Sequence, residues 1–296
     1  MKIALAQIAT VDSEIESNLA IHLRLIADAV TCGADLIIFP ELSLTGYNVR
    51  ERAAELARPV ESPLWRPLIE ASQGIDVLCG LIELGDDFRV FNTAAYLAGG
   101  ALRHRHRKIY LPTYGRFDEA RYFAPGDNIR AFDLWADSSR AAKAAGRGQL
   151  RAGIAICEEL WHPSISWLLA QDGAQLIVAN ASASGAEGRR EDGEPSGIGS
   201  WEKLAAASAI GGGAFVALAN RVGEEEEFQY FGCSFIVNPR GEVIARASAY
   251  EEDLLICELD FDLVRQTRIA MPLLRDENLE LTSRELDRIK RERFDL

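Results

Sequence analysis

The sequence predicts a single α/β domain on three observations. Short apolar runs rich in Ile, Val, Leu and Ala alternate with stretches of helical period along the whole chain. No Pro- or Ser-rich linker divides them, and no internal repeat is visible. The 296 residues are enough to bury a substantial core.

Strand-like runs fall at 2–8, 35–39, 76–83, 93–97 and 151–156, then at 175–179, 214–219, 234–238 and 254–259. Between them, 18–30 places Leu19, Leu23, Ile26 and Val30 on one helical face, and 163–171 and 201–210 are similar. Gly33 and Gly173 stand where helix C-caps are expected. Asn238-Pro239-Arg240-Gly241 reads as a hairpin turn, and Gly211-Gly212-Gly213 as a turn after a helix. The basic stretch Arg103-His104-Arg105-His106-Arg107-Lys108 reads as a strand with one solvated face. Residues 137–149 read as a surface insertion, 185–199 as a polar Gly-rich loop and 224–227 as a solvated acidic loop or, alternatively, a cover over the rim of the site. The charged end of the chain, about 278–296, favours a helix that is either solvated or packed on a partner subunit.

Forty-five acidic against 32 basic residues give a net charge of −13. That balance excludes a nucleic-acid or anionic-membrane partner, because binding phosphates needs a basic face. The N-terminus enters a strand-like run directly, without the apolar region and cleavage site of a signal peptide, and no segment is long and apolar enough to span a bilayer. The five cysteines are scattered, with no CxxC pair or disulfide framework. Reduced thiols in a cytoplasmic protein are the expectation.

Three reactive groups stand at the ends of strand-like runs. Ile37-Ile38-Phe39-Pro40 runs into Glu41, the basic strand ends at Lys108, and Ala152-Gly153-Ile154-Ala155-Ile156 runs into Cys157. Beyond Cys157 the chain turns polar and then helical, and a helix start lowers a thiol pKa. Local sequence leaves Cys157 open between a nucleophile and a small buried hydrophobe, the reading given to Cys79, Cys233 and Cys257. Glu41 is either a surface carboxylate or, held by Pro40 and an apolar surround, a desolvated base of raised pKa. Lys108 alone would be a solvated charge. Together the three suit covalent catalysis. The carboxylate takes the thiol proton, the thiolate attacks a planar carbonyl or nitrile carbon, and the ammonium stabilises the tetrahedral charge. His104 and His106 have no carboxylate or cysteine partner at metal-ligand spacing, so no metal site is expected.

These three blocks, in this order, resemble those of the nitrilase superfamily of carbon–nitrogen hydrolases. The likeness runs from Lys2-Ile3-Ala4-Leu5-Ala6-Gln7 to Met271-Pro272-Leu273-Leu274-Arg275-Asp276. It implies a four-layer α-β-β-α sandwich, with Glu41 as general base, Lys108 as oxyanion-stabilising lysine and Cys157 as nucleophile. Glu119, in Arg116-Phe117-Asp118-Glu119, would orient Lys108 or the substrate amide. Lys108-Ile109-Tyr110-Leu111-Pro112-Thr113-Tyr114, Phe117-Asp118-Glu119-Ala120-Arg121-Tyr122-Phe123 and Cys157-Glu158 with Trp161 are similar to the glutaminase domain of glutamine-dependent NAD synthetases.

That branch implies substrate contacts from Tyr47, Tyr114, Glu158, Ser184 and Arg190, although Arg189 and Arg190 read equally as exposed loop charges. It implies hydrolysis of a small amide, glutamine or a related ω-amide, through a thioester, with no metal or organic cofactor. A nitrilase or an N-carbamoyl amidohydrolase would use the same triad, and a non-catalytic binding subunit would keep only the fold. No ATP-pyrophosphatase motif is visible in the chain, so the ammonia would serve a stand-alone amidase reaction or a separate synthetase. The family habit of packing two domains through their helical outer faces implies a homo-oligomer.

Overall fold

Two six-stranded mixed sheets form the centre of the molecule. The structure is a computed structural model and describes residues 1–135, 149–185, 194–226 and 228–294. The first sheet contains β1 (Lys2–Gln7), β2 (Leu36–Ile38), β3 (Asp76–Leu84), β4 (Val90–Ala98), β5 (Ala101–Arg107) and β14 (Asp253–Glu258), in the order β14-β1-β2-β3-β4-β5. The second contains β6 (Phe132–Asp133), β7 (Arg151–Ile156), β8 (Leu176–Ala181), β9 (Phe215–Asn220), β12 (Phe235–Val237) and β13 (Val243–Arg246), in the order β13-β12-β9-β8-β7-β6. In each sheet three neighbouring strands run parallel, β1-β2-β3 and β9-β8-β7, and the outer pairings are antiparallel. A separate pair, β10 (Val222–Glu225) and β11 (Phe228–Phe231), lies outside both.

The parallel strands read as unbroken apolar runs because both of their faces are covered. Leu36 and Ile38 of β2 pack with Ile154 and Ile156 of β7 in the core between the sheets, whereas Ile37 faces outward beneath a helix. Leu25, Ile26 and Ala29 of α1 (Ile15–Thr31) and Leu68 of α2 (Arg66–Ala71) cover the outer face of the first sheet. Ile165 and Leu169 of α3 (Pro163–Gln171), with Trp201, Ala205 and Ala209 of α4 (Ile198–Gly212), cover the second. The order helix, sheet, sheet, helix is the expected four-layer α-β-β-α sandwich.

Gly33 at φ 72° and Gly173 at φ 93° follow helices as expected, and Asn238 to Gly241 turns the chain between β12 and β13. The glycine run differs from expectation. Gly211 and Gly212 continue α4, and only Gly213, at φ 51°, leaves it. The stretch read as an insertion, 137–149, lies outside the described residues except for Gln149. After α5 (Asp262–Ala270), the charged end of the chain forms α6 (Leu279–Ile289), which buries no side chain. Among the described residues no helix is long and apolar enough to cross a membrane.

The segment after β2 is pressed onto β3. Leu44 N donates to the Gly80 carbonyl at 3.1 Å, and Leu42 takes φ 47°, a left-handed conformation unusual for a branched side chain. Gly80 permits this approach, because a methyl group there would lie 2.2 Å from Leu42 N and 2.8 Å from the Pro40 carbonyl oxygen. Behind the same segment His22 is fully buried, its ring stacked on Phe39 at 3.9 Å. Its Nδ1 donates to the Asn18 carbonyl at 2.7 Å, so Nε2 accepts from the Ser43 hydroxyl at 2.9 Å. Ser43 Oγ in turn accepts from Gly80 N.

Gly80→Ala is therefore expected to lower stability by roughly 1–3 kcal/mol, as overpacking does. Gly74→Ala, where the new methyl would meet only the Ala71 carbonyl oxygen at 4.0 Å, should leave it unchanged. Equal Tm values for the two variants would contradict this account. A second expectation concerns acid. Burial lowers the His22 pKa from 6.5 to about 4, so the unfolded chain binds its proton first as pH falls. The contribution is whole above pH 6.5, is lost towards pH 4, and amounts to about 3 kcal/mol. Chemical denaturation across that range should show a shallower slope for His22→Gln; identical slopes would remove His22 as the source.

Candidate active site

Glu41, Lys108 and Glu119 meet in the interior. Glu41 and Lys108 are fully buried, and Glu119 is 4 % exposed. Lys108 Nζ lies 2.7 Å from Glu41 Oε1 and 2.7 Å from Glu119 Oε1, so one ammonium bridges two carboxylates. Glu41 and Lys108 sit just past strand ends, and Glu119 sits in the segment that follows Lys108. Glu41 follows β2, Lys108 follows β5 and continues its ladder through Lys108 N to the Asn92 carbonyl, and Glu119 opens a single helical turn. The surface reading of Glu41 and the solvated reading of Lys108 do not hold: both charges are satisfied by partners instead of water.

Burial opposes the charge on Lys108, yet the two glutamates hold its pKa above the ordinary lysine value. Glu119 is pushed up, to about 7, chiefly by burial and further by Glu41, with Lys108 opposing. Tyr47 Oη donates to Glu119 Oε1 at 2.6 Å, which places Tyr47 in the same chain of contacts. Glu119 Oε2 is buried and has no hydrogen-bond partner among the described residues.

Cys157 directly follows β7 and takes φ 48°. A non-glycine residue held there costs on the order of 1–3 kcal/mol and signals an imposed geometry. The expectation of a depressed thiol pKa is overturned. Cys157 heads a 3-10 turn of five residues, Cys157–Trp161, and the α-helix begins only at Pro163. Burial pushes the thiol well up and the charges of Glu41 and Glu119 add to this, with Lys108 and the Ser182 N–H acting against them. The thiol thus lies within the electrostatic reach of Glu41, Lys108 and Glu119, and the balance favours its protonated form.

The sequence reading missed several supports of this arrangement. Asn92 Nδ2 donates to Glu41 Oε1 at 2.8 Å, while Ser182 N donates to Glu41 Oε2 at 3.0 Å from the opposite sheet. Within the acidic run read as a solvated loop or a rim cover, Glu225 turns inward. Glu225 Oε1 accepts from the buried Arg221 at 2.6 Å, and its carboxylate also takes Tyr230 Oη and the backbone N–H groups of Tyr47 and Asn48. His106 also has a carboxylate partner after all, Glu159, 53 residues away along the chain. Only the three-dimensional fold reveals these contacts.

A cavity of about 340 Å³ adjoins the charged chain, with Tyr47, Arg116, Phe117, Glu119 and Phe228 among its walls; Cys157 is not among them. Its size suits a small ligand. Tyr114 is exposed and donates at 2.8 Å to Oε2 of Glu158, the residue next to Cys157. Ser184 forms a β-bridge with Tyr230. Arg190 lies outside the described residues. Among the described residues no group of three His, Cys, Asp or Glu side chains could hold a metal ion.

Residues 2–269 match the family described as carbon-nitrogen hydrolase. The glutamine-dependent NAD(+) synthetase of Thermotoga maritima is 30% identical over 272 residues, covering 88% of this chain and 42% of that protein. The chain thus spans less than half the length of that relative. A nitrilase of Pyrococcus abyssi is 28% identical over 275 residues, covering 91% of this chain and 93% of the relative. Among solved structures, a carbon-nitrogen hydrolase from Helicobacter pylori G27 shares the fold with a TM-score of 0.83 at 21% identity, over 97% of this chain and 98% of that one. With its family match across nearly the whole domain, the chain belongs to the carbon-nitrogen hydrolases and is an enzyme of that class.

Proposed function

We propose that the protein hydrolyses a small amide, glutamine or a related ω-amide, through a thioester on Cys157. The observation that carries this reading is the buried chain Glu41–Lys108–Glu119, whose charges act on the Cys157 thiol. Glu41 takes the thiol proton as Sγ bonds to the amide carbon. Lys108 Nζ has three N–H donors, two of which face the glutamates, and the third serves the tetrahedral oxyanion. Glu41 then delivers the proton to the departing nitrogen, and ammonia leaves. Water, deprotonated by the same carboxylate, cleaves the thioester to the acid and restores the thiol.

In its ionised form the unpartnered Glu119 Oε2 supports an amide over a nitrile, because a buried acceptor suits the N–H of a carboxamide and a nitrile nitrogen brings no donor. Similarity to a glutamine-dependent NAD(+) synthetase supports glutamine among the amides. In this reading Tyr47 orders Glu119, Tyr114 and Glu158 line the approach with Ser184, and Arg190 binds the substrate carboxylate. The ammonia is either discarded or passed to a separate synthetase, and the chain works as a homo-oligomer.

Ammonia release over glutamine, asparagine, aliphatic amides, N-carbamoyl amines and nitriles tests the substrate class. We expect turnover of ω-amides and none of nitriles; the reverse would move the protein to the nitrilase reading, and flat results across the panel would favour a binding subunit. Mass spectrometry of enzyme quenched during turnover should find the acyl group on Cys157. Cys157→Ala should lose at least about 10³-fold in kcat, and a variant that still turns over would end the mechanism. Arg190→Ala should raise KM for glutamine by roughly tenfold or more, as loss of a charge-assisted pair does, and an unchanged KM would remove that residue from the site.

A further inference from the structure

Lys108 and Cys157 directly follow strands of different sheets, and no backbone ladder joins β5 to β7. Their separation must be held by side chains. Glu159, fully buried two residues after Cys157, spans the gap. Its Oε1 accepts from Ile109 N at 2.7 Å, the residue directly after Lys108. Its Oε2 accepts from Ile156 N at 2.6 Å, the residue directly before Cys157. His106 Nε2, on β5 two residues before Lys108, lies 2.8 Å from the same Oε2.

We propose that Glu159 is a positioning residue that sets the Cys157 thiol against the Lys108 ammonium. Capping the 3-10 turn requires only the bond to Ile156 N. The second bond belongs to the other sheet and has no part in that turn. The chemistry of the side chain fits the bridging role, because both bridged groups are donors and only a carboxylate offers an acceptor on each of its two oxygens. A glutamine in its place would turn an NH2 group towards one of the two N–H groups. That contact would push one strand end away, and a shift near 1 Å at reacting groups costs on the order of 10²-fold in rate.

The inference rests on the nucleophilic role proposed for Cys157, so its test reads the thiol without any substrate as well as with one. Glu159→Gln and Glu159→Asp are compared with wild type in the full chain, with all rates expressed per folded molecule. One readout is the rate of Cys157 carbamidomethylation by iodoacetamide, located by mass spectrometry. The other is kcat and KM for whichever amide the ammonia screen identifies. For Glu159→Gln we expect kcat to fall about 30- to 100-fold, KM to stay within about twofold, and alkylation to slow at least about fivefold.

Glu159→Asp keeps both acceptors on a side chain one methylene shorter, so it should fall between wild type and Glu159→Gln in both readouts. Wild-type rates per folded molecule in Glu159→Gln would overturn the proposal, since a purely structural residue changes only the amount of folded protein. If that variant does not fold, Glu159→Asp decides alone, and wild-type alkylation and kcat in it would overturn the proposal equally. Should wild type hydrolyse no amide, the function reading fails while the alkylation comparison still decides the role of Glu159.

Discussion

The buried ammonium of Lys108 is the constraint around which the rest of the site is arranged. An isolated charge at zero exposure would cost several kcal/mol and would shed its proton. Two carboxylates at 2.7 Å prevent that, but they leave the trio with an excess negative charge. The excess needs donors of its own. Glu41 takes them from Asn92 and from the backbone of Ser182, and Glu119 takes one from Tyr47. Each donor sits on a different part of the chain, so satisfying one lysine ties β4, β8 and the loop after β2 to one point.

This arrangement explains why the sandwich needs two facing sheets. A single sheet could present Glu41 and Lys108, since β2 and β5 share one. Ser182 and Cys157 come from β8 and β7 of the other sheet, and the junction closes when Ser182 N reaches Glu41 Oε2 and Ser182 Oγ reaches the Glu41 carbonyl. Loops then seal the rim. Glu225, compensated by Arg221, holds the backbone of Tyr47 and Asn48 and so steadies the phenol that orders Glu119. Charges far from the reacting atoms thus act through backbone N–H groups to place those nearby.

Much of this was legible in the sequence, for a physical reason. A strand covered on both faces is written as an unbroken apolar run, and the residue that interrupts the run marks the strand end where Glu41 and Cys157 sit. The supports were not legible, because their partners are distant in sequence: Asn92 lies 51 residues from Glu41, Ser182 141, and Glu225 178 from Tyr47. Local rules also misled where burial reversed them. A run of glutamates is usually solvated, yet Glu225 meets a buried arginine. A thiol before a helix is usually acidic, yet the turn at Cys157 is too short to supply a strong dipole, and two carboxylates oppose the thiolate.

The raised thiol pKa has a consequence for the proposed chemistry. A free thiolate at Cys157 would add a further negative charge beside Glu41 and Glu119, against one ammonium. Moving the proton from Sγ to Glu41 as the carbon–sulfur bond forms keeps the charge count of the pocket constant throughout, because the negative charge passes from Glu41 to the oxyanion, and Lys108 is already in place for it. The same ordering limits side reactions, because a thiol that ionises only while attacking is a poor target for oxidants and other electrophiles. It also makes turnover depend on geometry more than on thiol acidity: proton transfer and attack must coincide, so the distances among strand ends from two sheets set the rate.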